Sequence, residues 1–138
     1  MASADRLIVA RRGDSNVTRI KTSAVISLTM TAGTTISGSF TPPEGSRVTA
    51  MKSLTPVAIS GSPTNINLTV GKTAGGQEYV ATVDKKAANA ADALTLVAAP
   101  DYASWPAGQA IVAQIAASGG TNPAGTISVE IEYSAPNP

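Results

Sequence analysis

The stretch GTISVEIEYS, Gly125 to Ser134, leaves the backbone little choice. Ile127, Val129, Ile131 and Tyr133 alternate with Thr126, Ser128, Glu130 and Glu132. In an extended chain successive side chains point to opposite faces, so this is one apolar face and one polar face. A helix turns about 100° per residue and would mix the two sets. The same period of two runs through AVISLTMT (24–31), with Ile26, Leu28 and Met30 on one side, and TNINLTVG (64–71), with Ile66, Leu68 and Val70. TTISGSFT (34–41) sets Ile36 and Phe40 on one face across Gly38, which marks a bulge or a close approach. SRVTAMKSL (46–54) and QEYVATV (77–83) are shorter strands, and the apolar runs ALTLVAA (93–99) and QAIVAQIAAS (109–118) read as central ones.

Turn signals separate these runs. TPPEGS (41–46) joins fixed proline torsions to a glycine that tolerates positive φ, and SGSPTN, TAGGQE, WPAG and SGGTNPAG repeat the theme. Only DKKAANAADA, Asp84 to Ala93, suits a short helix, with Asp84 as N-cap, or else a turn between strands. About eight strands, punctuated every ~8–14 residues, predict an all-β fold: an antiparallel β-sandwich, jelly-roll-like, with an extended N-terminal arm. The expected division is a basic arm over 1–21, a sandwich over 22–134 and a proline-limited tail over 135–138. A chain of 138 residues buries one such core without staples.

Charge is unevenly spread. Arg6, Arg11, Arg12, Arg19 and Lys21 are half of the ten basic residues, whereas beyond Lys86 only the acids Asp92, Asp101, Glu130 and Glu132 remain. A positive arm and a negative C-terminal third favour head-to-tail association or docking on an acidic surface. Nucleic acid is a poorer partner for the arm, because Asp5 and Asp14 interrupt it and no aromatic side chains interleave. Leu7–Ala10 precedes the arginines, the reverse of a signal peptide, and no run approaches the ~20 apolar residues of a membrane helix. The expectation is a protein that is not exported by a classical route and meets no membrane.

The sequence has neither Cys nor His, so disulfides, thiolate metal sites and imidazole acid–base chemistry are excluded. A serine nucleophile lacks both a suitable base and the Gly-x-Ser-x-Gly elbow, and GKTAGGQ lacks the Walker spacing and reads as a hairpin loop. Glu130 and Glu132 read as a solubilising edge rather than as a catalytic pair. The expectation is no enzyme and no cofactor. In DYASWPAG, Tyr102 and Trp105 form the best candidate ligand loop, since aromatics stack on sugar faces; the favoured reading has Trp105 plugging one end of the sandwich with its indole half buried. The sequons at Asn16 and Asn67 and the tripeptide Arg12-Gly13-Asp14 require an export route, so they read as chance, with Gly13–Ser15 a turn in the arm.

The runs SGSPTNINLTVGKTAGGQEYVATVD and WPAGQAIVAQIAASGGTNPAGTISVEIEYS resemble small β-sandwich virion proteins of tailed bacteriophages, notably head decoration (cement) proteins and head fibres. The likeness spans roughly residues 36–134 and rests on Thr/Ala/Gly-rich strands, PAG turns and a final strand alternating Val/Ile with acid. It implies a non-enzymatic protein on the outer capsid surface, made in the host cytoplasm. Its partners would be the major capsid protein and copies of itself, commonly as a homotrimer. Capsid and subunit contacts then fall to Arg6, Arg11, Arg12, Arg19 and Lys21. A receptor- or glycan-binding fibre or tail module using Tyr102 and Trp105 is the alternative.

Overall fold

The computed structural model describes residues 20–31, 35–61, 63–86, 91–119 and 123–136. Alternation becomes ladder at once: β1 (Ile20–Thr31), β2 (Thr35–Phe40), β3 (Arg47–Ser60), β4 (Asn65–Gly71), β5 (Val80–Asp84), β6 (Ala91–Ala93), β7 (Ile111–Ser118) and β8 (Ala124–Ala135). They form two four-stranded antiparallel sheets, ordered β1-β8-β3-β6 and β2-β7-β4-β5. The first strand pairs with the last, the second with the seventh, the third with the sixth and the fourth with the fifth. The chain is therefore one long antiparallel hairpin, rolled so that successive rungs fall in alternate sheets. Pairings β3–β8 and β4–β7 stitch the rungs together. This is the jelly roll.

The apolar half of each alternation meets between the sheets. Ile26, Leu28, Met30, Met51, Ile127, Val129 and Ile131 come from one sheet, and Ile66, Leu68, Val70, Ile111 and Ile115 from the other, all buried. Each such side chain contributes about 1.5–3 kcal/mol on full burial. Gly38 belongs to this packing, and as a close approach, since the β2–β7 register is unbroken. A Cβ there would lie 2.9 Å from Ile26 Cγ2 and 3.3 Å from Leu28 Cδ2. The register shifts fall in the β3–β8 and β4–β5 pairings instead. In the TPPEGS turn Gly45 takes φ +82°, and the Ser46 N–H donates to the Pro43 carbonyl at 3.1 Å.

Two expectations need correction, and one pair of alternatives is narrowed. ALTLVAA is not a central strand: β6 ends at Ala93, and the chain from Leu94 onward is irregular. The Leu94 N–H donates to Met51 of one sheet and the Val97 N–H to Tyr79 beside the other, so this segment crosses between sheets and can join neither ladder. Within Asp84–Ala93 no described residue is helical; 87–90 lie outside the described residues. Asp84 ends β5, and its carboxylate accepts from the Ile66 and Lys86 N–H groups, closing a local turn instead of capping a helix. Glu130 and Glu132 are not on an edge either, since β8 lies between β1 and β3.

The domain boundaries move slightly. Strand β1 begins at Ile20, so Lys21 belongs to the sandwich, and β8 continues to Ala135. The rest of the arm, residues 1–19, lies outside the described residues, as do 137–138 of the tail. Gly38→Val should cost about 1–3 kcal/mol by overpacking, since two branched side chains must yield. Urea unfolding should show this as a lower midpoint at unchanged slope.

Candidate functional site

One end of the sandwich is closed by a loop whose aromatic residues face inward. Pro100–Tyr102 makes a single 3₁₀ turn, and the following chain carries Trp105 beneath the turn between β2 and β3. The Trp105 N–H donates to Ser46 O and the Gly45 N–H donates to Trp105 O, both at 2.8 Å. The indole Nε1–H donates to Gln109 O at 2.6 Å, and the side chain is only 1% exposed. Trp105 is thus a complete plug, buried beyond the half-buried expectation, and its face is closed to a sugar ring.

The centre of this cluster is a residue that the sequence reading passed over. Tyr79 is fully buried, with ring centroids 5.2 Å from Trp105 and 5.7 Å from Tyr102. Its hydroxyl donates to Asp101 Oδ2 at 2.7 Å, while the Tyr102 hydroxyl donates to Tyr79 O at 3.1 Å. Lys72 Nζ lies 3.5 Å from the same Asp101 oxygen. Simple alternation hides Tyr79, because Tyr79 and Val80 are adjacent and both buried. The N–H of Tyr79 bonds Val70 O just ahead of β5, where the strand period does not yet apply. Burial, aided by the nearby Asp101 carboxylate, pushes the Tyr102 phenol up to about 12 and the Tyr79 phenol higher still.

The acids of the C-terminal third are each met by a lysine of the domain. Lys52 lies 3.5 Å from Glu130, Lys21 3.6 Å from Glu132, Lys72 3.5 Å from Asp101 and Lys85 2.5 Å from Asp92. The negative third read from the sequence is therefore neutralised locally in three dimensions. Of the five basic residues assigned to the arm, only Lys21 is described, and it stands in β1 beside Glu132. Arg6, Arg11, Arg12 and Arg19 lie outside the described residues, as do Gly13, Asp14 and Asn16. Asn67, the other sequon, sits within β4, opposite Ala116 of β7 and Asp84 of β5.

Among the described residues no group of three or more His, Cys, Asp or Glu side chains could hold a metal, and no helix is long and apolar enough to cross a membrane. GKTAGGQ forms the loop of the β4–β5 hairpin, and Glu78 accepts from the Lys72 N–H at 2.6 Å. No protein-family model matches the chain, and no curated protein is significantly similar to it.

The tyrosines give this end of the fold a pH signature. Both phenols are raised above the unfolded value of about 10, so above that pH the unfolded chain binds fewer protons than the native one. The contribution of these two phenols to stability is constant below pH ~10 and falls as pH rises from there through the raised native values. Tyr79→Phe should make this alkaline loss shallower, which unfolding midpoints across the alkaline range will measure.

Proposed function

We propose that this protein is a structural virion component of a tailed phage, a decoration or cement protein that docks on the outer shell and ties subunits together. The observation that carries the proposal is the distribution of charge along the chain, together with the lysine partners of the C-terminal acids. The four arginines of residues 1–19, set against Asp5 and Asp14, leave that segment at +2. The remainder of the chain, six cations against seven acids, stands at −1. Its four C-terminal acids already have lysines of their own within 3.6 Å. The arm's natural complement is therefore an acidic patch on another surface, either the major capsid protein or a neighbouring copy. Double-sheet jelly rolls recur in capsid proteins, which supports the reading by analogy of fold. The glycan-binding alternative has no observation in its favour, because Trp105 is spent on the core.

The test is incorporation into particles. Removing residues 1–19 leaves β1 intact and should lower occupancy on particles at least tenfold, worth about 1.4 kcal/mol or more, with the circular dichroism of the sandwich unchanged. Replacing Arg11 and Arg12 together by Glu should also weaken decoration, more so at low salt, whereas Asp14→Glu should have no effect. Full occupancy by the truncated protein, counted by electron microscopy, would sink the proposal.

A further inference from the structure

Soluble proteins keep the free edges of their sheets short, kinked, bulged or charged, because an open ladder pairs with whatever strand it meets. Three of the four edges here obey. Strand β6 has three residues, β5 has five beside a register shift, and β2 has six. Strand β1 does not. It runs twelve residues, in unbroken register with β8, without proline or bulge. Among the described residues it pairs on that side alone. Its single charge, Lys21, sits at the start and faces Glu132. Near its midpoint Val25 is 55% exposed, one of two large apolar side chains left exposed among the described residues.

We propose that β1 is a self-association edge, at which two copies of this chain pair antiparallel about a two-fold axis through Val25. The register follows from the faces. The outward set on β1 is Lys21, Ser23, Val25, Ser27 and Thr29, opposite the core set Ile26, Leu28 and Met30. Directly opposed residues of antiparallel strands share a face, so outer face meets outer face only when a residue, not a peptide bond, lies on the axis. In a strand of Ile20–Thr31 the central choices are Val25 and Ile26. Only the first sets the two exposed valines against each other and removes both from water. Ser23 then faces the partner's Ser27, and Lys21 the partner's Thr29. No like charges meet, so the surface is complementary to itself, as an isologous contact requires. The two sheets β1-β8-β3-β6 become one continuous eight-stranded sheet.

The assignment stands independently of the virion reading, and it differs from the trimer that the resemblance implies, since a two-fold axis closes at two copies. The absence of cysteine makes it directly testable in the full chain. Opposed residues lie about 4.5–5.5 Å apart at Cα, inside the ~4.4–6.8 Å span of a disulfide. Val25→Cys should therefore cross-link to a covalent dimer under mild oxidation. Ser23→Cys alone should not, because its copies sit four residues out of register, roughly 13 Å apart. A mixture of Ser23→Cys with Ser27→Cys protein should cross-link again. Sedimentation of the unmodified chain should give twice its 13.8 kDa mass, and Val25→Glu should return it to a monomer with unchanged circular dichroism. A monomeric or trimeric wild type overturns the proposal, as does a dimer whose Val25→Cys form resists cross-linking. So does a dimer that Val25→Glu leaves intact, which would point to residues 1–19 of a neighbour as the occupant of the edge.

Discussion

The ladder between the first strand and the last is the contact on which the rest of this fold depends. Twelve pairs run without a shift from Ile20–Ala135 to Thr31–Ala124, and the Ser27 and Ser128 hydroxyls meet at 3.3 Å across 101 residues of sequence. Among the described residues, without β8, β1 has no ladder partner and β3 has only the three-residue β6. Ile127, Val129 and Ile131 then bring three fully buried side chains into the centre of the core at once. Such long-range closure is slow, because loop entropy is lost before the contact repays it.

Two side-chain clusters flank the short strand β5. Just before it, Tyr79 is buried among Trp105, Tyr102 and the carboxylate of Asp101. Just after it, Lys85 is 6% exposed, its N–H donating to Ile66 O and its ammonium to Asp92 on β6. The second cluster joins the two sheets directly, since β5 and β6 belong to different ones. A buried lysine is costly to leave alone, so its worth lies in fixing how the sheets meet more than in net stability. Both clusters spend polar chemistry on structure. That is why the residue types most suggestive of a ligand loop turn out to be internal.

What was legible in the sequence is what period two can express. The inward sets of β1, β4 and β8 follow from alternation, and so does the spacing of turns that made a sandwich the natural fold. Strand partners did not follow, because alternation identifies a face and says nothing of neighbours. Glu130 and Glu132 looked like an edge when their strand is central, covered on that face by lysines from β1 and β3. Leu94–Ala99 is apolar for a different reason: the segment packs Leu94 inward while crossing between layers, and hydrophobicity alone does not separate crossing from strand. In the aromatic loop the residue types marked the place and misled about the direction in which they point.

The same reasoning bears on where function can reside. With the aromatic end filled, three kinds of surface stand out: the two outer faces, the sheet edges and the terminal segment. On the face of the sheet containing β1 and β8, lysines answer the acids and Ser27–Ser128 and Thr29–Thr126 satisfy one another, which lowers the gain from any partner. Among the described residues the β1 edge has an unpaired backbone ladder, and the first nineteen residues carry a net charge of +2. These are complementary resources. Paired about Val25, each copy's β1 would begin beside the far end of its partner's, where Ile20 stands opposite Met30 of the other chain. An edge that fixes geometry and an arm that supplies charge would thus act on the same assembly, each doing what the other cannot.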